Sequence, residues 1–281
     1  MAQTIDHLAR TPLSQVVLFV VACTVIRVAL APYLAKVPRH LRSGAYSAAR
    51  FSNEFLDAVI YAGVFVFLVI RPFCVQAFRI PSESMVDTLL INDFIVANKA
   101  IYRFTDPKRG DIVVFRPPYY ACRPDQIDKD GSVNVDFIKR CIGLPGDVVE
   151  IKQGTLYVNG QSMNEPYIKA KPDWDFKLAD VRGIVKNNPA NQNIWPIAIQ
   201  GESVNRPGMN IAPPFYLDDP ILMNKIRELK PAAIPPGFYL MMGDNRPGSF
   251  DGRAWGLIQR EDVIGRAEFI WFPIARWRGL R

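Results

Sequence analysis

The chain opens with two long apolar stretches and turns, near residue 79, to short runs of alternating character. Val16–Ala35 is a run of twenty residues broken by one charge, Arg27, and Ala58–Phe78 is a run of twenty-one broken by Arg71. At 1.5 Å per residue, either is long enough to cross a hydrocarbon core of about 30 Å. A mid-helix arginine costs roughly 2.5–3.5 kcal/mol on insertion, and its long stem reduces that by carrying the charge toward the interface. The pattern predicts an N-terminal tail 1–15, a transmembrane helix 16–35, a basic loop 36–57 and a second transmembrane helix 58–78. A cleavable leader is the competing reading, with Arg10 before an apolar Val16–Ile26 and Ala29-Leu30-Ala31 as the small-residue site. Pro32 would then follow the cut, where its tertiary amide makes a poor scissile bond. In the loop, Lys36, Arg39, Arg42 and Arg50 outnumber the acids, which keeps it cytoplasmic and sends everything after Phe78 to the other side.

Past Phe78 the period falls to two. Phe94–Ala97, Ile112–Phe115, Phe137–Ile142, Val148–Ile151, Leu156–Val158, Phe238–Met242 and Val263–Phe272 are β-branched or aromatic runs. Turn residues such as Pro145-Gly146, Gln153-Gly154 and Asn159-Gly160 bound them, so a mostly antiparallel β domain is expected. Between Pro166 and Pro236 the alternation stops: eleven of the 23 prolines fall there, with a short helix expected only around Ile221–Leu229. The fold class is therefore mostly β, two N-terminal transmembrane helices followed by an extracytoplasmic β domain. That domain is in two parts, 79–165 and 237–281, with a smaller irregular domain at 166–236 inserted between them.

Composition changes this picture at three points. The apolar fraction of 49% is an average over two unlike halves, and 17 Phe, 10 Tyr and 5 Trp suffice for an ordinary core, which excludes a wholly disordered chain. The net charge of +7 carries no basic stripe interleaved with aromatics in the exported part, so a membrane surface is a better partner than nucleic acid. Only two histidines exist, His7 and His40, both before the second apolar run. Chemistry downstream must proceed without imidazole, which disfavours a Ser-His-Asp triad, a Cys-His pair and a His-ligated zinc. Of the four cysteines, Cys23 and Cys74 belong to the membrane runs, while Cys122 and Cys141 could bridge in an oxidising compartment.

Three clusters carry chemistry: Ile80-Pro81-Ser82-Glu83-Ser84-Met85, Phe137–Asp147 and Gly243–Gly256. Each alone has a plain reading, as a turn serine, a solvent-facing lysine in a strand, and a tight or cation-binding loop. Together they suggest a hydrolase whose base is an amine. A lysine in apolar surroundings loses its charged form, and a neutral amine can take a proton from a serine hydroxyl.

The clusters resemble the boxes of the type I signal peptidases, the membrane-bound serine endopeptidases that remove signal peptides. Ser-x-Ser-Met, Lys-Arg-x-x-Gly-x-Pro-Gly-Asp and Gly-Asp-Asn-Arg-x-x-Ser-x-Asp-x-Arg-x-x-Gly occur in order after the paired apolar runs. The resemblance implies Ser84 as nucleophile and Lys139 as general base, with the Ser82 hydroxyl and the Ser84 backbone N–H as oxyanion donors. It implies that Ser249 orients the lysine amine and that Asp244, Arg246, Asp251 and Arg253 form supporting ion pairs. No metal and no cofactor are implied. The substrates would be preprotein signal peptides cut after small residues, an A-x-A pattern. Membrane lipid and transient contact with the secretion machinery would complete the partners, in the bacterial plasma (inner) membrane, multi-pass, with the catalytic domain periplasmic. Trp271, Phe272 and Trp277, with Arg276 and Arg278, would help to seat the domain on the bilayer or else fill its core.

The chain departs from the family pattern at Glu83, where glycine is usual, and at Asp87, where proline is usual. Pro247-Gly248 stands for Asp-Asn and Gly252 for Ser. Two other readings remain open: a self-cleaving repressor on the same Ser-Lys fold, which would lack spans and carry a DNA-binding module, and a silent anchor that binds signal peptides without cutting. A cleavage assay separates the latter.

Overall fold

The computed structural model describes residues 13–38, 42, 44–118, 121–172, 175–178, 193–194, 198–200, 215–216, 228, 230 and 232–280. These fall into two compact units, Met1–Ala77 and Phe78–Arg281. The expected helix at Ile221–Leu229 lies outside the described residues except for Glu228, which is in a turn.

In the first unit, helix α1 is Leu13–Lys36 and α2 is Gly44–Phe65, the latter prolonged through a wide turn at Val66–Ile70 and a last turn at Arg71–Phe73. Two helices among the described residues are thus long and apolar enough to cross a membrane, over Ser14–Lys36 and Gly44–Leu68. The second differs from the expected 58–78 at both ends. It starts in the stretch assigned to the loop, because Gly44–Asp57 is free of proline and helix-compatible. It ends by Phe73 because Val75–Arg79 enters a sheet instead. The Arg27 guanidinium meets the Asp57 carboxylate across the helix pair, and its Nε donates to Asn53 Oδ1 at 3.4 Å.

The second unit holds fifteen strands among the described residues, numbered in chain order. They are β1 Val75–Arg79, which begins just before the unit, β2 Phe94–Asn98, β3 Ile112–Phe115, β4 Phe137–Gly143, β5 Val149–Lys152, β6 Thr155–Val158 and β7 Gln161–Ser162. There follow β8 Phe176–Leu178, β9 Asn193–Ile194, β10 Ala198–Gln200, β11 Phe215–Tyr216, β12 Phe238–Met242, β13 Ile258–Gln259, β14 Val263–Phe272 and β15 Arg278–Gly279. A short helix, α3, occupies Gly252–Trp255.

The main sheet runs β1-β2-β14-β3-β4-β12-β13, with β15 paired to β14, and its pairings from β2 to β13 are antiparallel. Every run read from period two is a strand here. A second sheet runs β10-β8-β5-β6-β7, and β9 pairs with β11. The second sheet draws strands from both sides of the boundary expected at residue 166, so β8 and β10 extend a hairpin already begun by β5 and β6.

Side chains from alternating strand positions make the core. Ile142, Val149, Ile151, Leu156, Phe176, Ile234 and Leu240 join the two sheets in one buried cluster. A second cluster packs Ile80, Met85 and Leu89 onto Ile95, Ile112, Val114 and Ile270. Burying Met85 and Leu89 is worth roughly 1.5–3 kcal/mol each, and it ties the Ser82–Met85 turn to the sheet. Cys122 and Cys141 are both free, so the disulfide that an oxidising compartment would permit is not formed. Cys141 sits inside β4, where burial pushes its thiol up and leaves it inert.

Candidate active site

Ser84 rides on a tight turn, Glu83–Met85, entered from an extended Ser82 at φ −134° and ψ 163°. Two bonds from the third cluster hold this turn: the Asn245 backbone N–H donates to the Ser84 carbonyl at 3.1 Å, and Asn245 Nδ2 donates to the Glu83 carbonyl at 3.1 Å. Asp87, three residues on, takes φ +86°, a left-handed conformation that proline cannot adopt. The turn beyond the nucleophile therefore could not keep this shape with the proline of the pattern the motif resembles, and Lys169 Nζ pairs with Asp87 Oδ1 at 2.8 Å.

Lys139 comes from β4, hydrogen-bonded between β3 and β12 in the middle of the sheet. That placement buries it, at 5% exposure, and overturns the plain reading of a solvent-facing strand lysine. Lys139 Nζ lies 2.6 Å from Ser84 Oγ and 3.2 Å from the Ile138 carbonyl. Burial pulls the Lys139 ammonium down to about 8, against Asp251 and Asp244, which favour the charge, and with Arg253, which opposes it. Ser82 Oγ stands 3.3 Å from Ser84 Oγ.

Ser249 shares the site without the bond expected of it. No hydrogen bond joins it to Lys139, and its buried Oγ has no partner that meets hydrogen-bond geometry. It is packed against Gly243: a Cβ built there would fall 2.2 Å from Ser249 Oγ and 2.4 Å from the Ser84 carbonyl oxygen. Only glycine allows the third cluster to approach the nucleophile so closely.

The ion pairs also differ from a simple pairing within the third cluster. Asp251 and Arg253 do pair, Nε to Oδ1 at 2.7 Å and Nη2 to Oδ2 at 2.7 Å, and Asp251 caps α3. Although burial pushes the Asp251 carboxyl up, Arg253 and the Gly243 N–H outweigh it and hold it low, with the nearby Ser249 hydroxyl adding to this short of full hydrogen-bond geometry. Asp244 does not pair with Arg246. It takes a fork from Arg140, Nε to Oδ1 at 2.8 Å and Nη2 to Oδ2 at 2.6 Å, and accepts from Thr88 Oγ1 at 2.5 Å. Arg246 instead reaches Glu165, with Nη1 to Oε2 at 3.0 Å and a second contact from Nη2 to Oε1, while its Nε donates to the Gly243 carbonyl at 3.1 Å.

Two partners were thus missed from sequence. Arg140 is the second residue of the Lys-Arg-x-x-Gly motif itself, so the sequence marked it without giving it a role. Glu165 precedes Pro166, where the pattern was already failing, and nothing in its local sequence marks it. Of the aromatics expected at the bilayer, Trp271 and Phe272 pack edge-on against Phe94, while Trp277 is exposed. Arg276 is spent on buried Asp93.

What the cluster can do chemically is acyl transfer: a hydroxyl, an amine within proton-transfer distance, a second hydroxyl beside the first, and a charge-balanced frame. Comparisons with known proteins agree in kind. Residues 52–272 match the family described as signal peptidase, peptidase S26. A signal peptidase I from Leptolyngbya laminosa is 30% identical over 234 residues, 83% of this chain and 87% of its own length. A probable signal peptidase I-2 from Synechocystis is 34% identical over 221 residues, 79% of this chain and 74% of its own. The signal peptidase I of Aquifex aeolicus is 32% identical over 215 residues, 73% and 78% of the two chains. A solved signal peptidase I from Enterococcus faecalis has a TM-score of 0.29 and 26% identity over 58% of this chain and 97% of that one, so the topology above stands on this chain's own strand order.

Proposed function

The chain belongs to the signal peptidase family, peptidase S26, and is a serine endopeptidase that cleaves signal peptides; we propose that it does so with Ser84 as nucleophile and Lys139 as general base. The observation that carries the assignment is the 2.6 Å separation of Lys139 Nζ from Ser84 Oγ, in a domain that holds no histidine.

The chemistry follows from the protonation state. With its ammonium held near 8, about a tenth of Lys139 is neutral at pH 7, and that fraction is the base. The Ser84 hydroxyl gives its proton to the amine as Oγ bonds to the scissile carbonyl carbon. Charge moves to the carbonyl oxygen, and in this reading the Ser82 hydroxyl and the Ser84 N–H receive it, a contribution of roughly 3–4 kcal/mol per donor in comparable sites. The ammonium then protonates the departing amine, leaving an ester on Ser84. A water gives a proton to the same amine and attacks the ester, and collapse returns the proton to Ser84.

The substrate reading is an extended signal-peptide segment added along a strand edge, with shallow pockets for small side chains at the first and third residues before the cut. Ser249, packed against Gly243 and unbonded to the amine here, would orient Lys139 only once substrate is bound, and the frame of Asp244, Arg246, Asp251 and Arg253 holds the third cluster to the nucleophile turn. The two apolar helices and the excess of basic residues between them support a multi-pass anchor in the plasma membrane with the catalytic domain periplasmic. In this reading 166–236 remains an insertion between the two parts of the catalytic domain, and lipid and the secretion machinery remain its partners. Ser84→Ala and Lys139→Met should each abolish preprotein cleavage in detergent by a folded protein. Retained activity in either overturns the dyad.

A further inference from the structure

Glu165, Tyr167 and Lys169 follow β7 closely, and each reaches a different motif-bearing piece of the site. Lys169 Nζ meets Asp87 on the far side of the nucleophile turn, an exposed contact and the weakest of the three. The Tyr167 ring lies under the Arg140 guanidinium, 3.9 Å from its centroid, next in sequence to the lysine base. Glu165 takes both terminal nitrogens of Arg246, and Tyr167 Oη donates to Glu165 Oε1 at 2.7 Å. The Glu165–Arg246 pair is deeply buried, with side chains 5% and 1% exposed.

Around Lys139 the fixed buried charges then cancel. Arg140, Arg246 and Arg253 stand against Asp244, Glu165 and Asp251, each arginine with its own carboxylate. We infer that Glu165 is a positioning residue of the active site, which acts through Arg246 to hold Gly243 against the Ser84 turn and supplies the third carboxylate that balances the charges around Lys139. Neutralising Glu165 leaves Arg246 buried without a counter-charge and the cluster one unit positive. The groups facing Lys139 are Ser84, the Phe137 ring, Asp251, Asp244 and Arg253. An added positive charge beside them disfavours the ammonium further.

The inference rests on the Ser84–Lys139 reading, and Ser84→Ala in the same assay keeps the two apart: activity retained there sinks the dyad whatever Glu165 does. The test is preprotein cleavage by the full chain in detergent, expressed per folded molecule from tryptophan-fluorescence unfolding. Glu165→Gln should lower kcat at least tenfold, leave KM within about twofold, and move the acid limb of kcat/KM to lower pH by roughly half a unit. An unchanged kcat, an unmoved limb, or a limb shifted to higher pH overturns the inference. If Glu165→Gln fails to fold, the double variant Glu165→Gln/Arg246→Met removes both charges. It should keep the wild-type limb with a kcat still lowered at least tenfold, and a wild-type kcat there overturns the positioning role.

Discussion

Replacing the base should make the protein stabler as well as inactive. In the folded chain the Lys139 ammonium is held at about 8 against an ordinary 10.5. That difference, at 1.36 kcal/mol per unit, is a cost of about 3 kcal/mol for keeping the charge in the interior. Below pH 8 folded and unfolded chains both carry the proton, and the cost is borne in full. Between 8 and 10.5 the folded chain gives up its proton while the unfolded chain keeps it, so stability rises with pH and the cost fades. Methionine has nearly the same length and no charge, so Lys139→Met removes the cost. It also removes the contact with Ser84, worth about 1 kcal/mol. The variant should therefore exceed wild type by about 2 kcal/mol at pH 6.5, seen as a Tm several degrees higher by tryptophan fluorescence in detergent. The gap should close as both are taken toward pH 10.5. A variant less stable than wild type at pH 6.5, or a gap that does not shrink with rising pH, refutes the reasoning.

Three further outcomes follow from the same geometry. Cleavage should climb about tenfold per pH unit below 8 and level off above it, because the active form is the neutral amine; a flat profile from pH 6 to 9 counts against a lysine base. Asp244→Ala strands Arg140 in the interior and should cost about 3–5 kcal/mol in urea unfolding, and a loss under about 1 kcal/mol would show that the fork is not structural. Gly243→Ala sets a methyl into the space of Ser249 Oγ and the Ser84 carbonyl; kcat should fall roughly a hundredfold with a smaller change in KM, and an unaltered kcat would show that the turn can yield.

Val263–Phe272 could be read in advance because burial on one face imposes period two along most of it, while Ile112–Phe115, buried at every position, was marked by a short β-branched run. That Lys139 and Ser84 lie together at 2.6 Å was foreshadowed by two things, the lack of imidazole, which pointed to an amine, and the resemblance of the motifs, which singled out Ser84. What was hidden has a common cause. Val75–Arg79 continues an apolar run, and hydropathy cannot say where a helix hands over to a strand. The pairing of Asp244 with Arg140 and of Arg246 with Glu165 depends on distant backbone brought together by the sheet, and charge count alone leaves several pairings equally good. Ser249 lies in the cluster that the motif indicated, yet its hydroxyl faces Gly243 closely and makes no bond to the amine, a matter of ångströms that spacing does not encode.

The Arg27–Asp57 pair bears on how the anchor is made. In the proposed multi-pass anchor, either helix alone would present hydrocarbon with an unneutralised charge costing roughly 2.5–3.5 kcal/mol, while together they cancel it within the hairpin. On that arrangement the first helix would enter the bilayer poorly until the second emerges, and the two would leave the translocation channel as one unit. A truncated chain ending before Asp57 would be a target for membrane quality control.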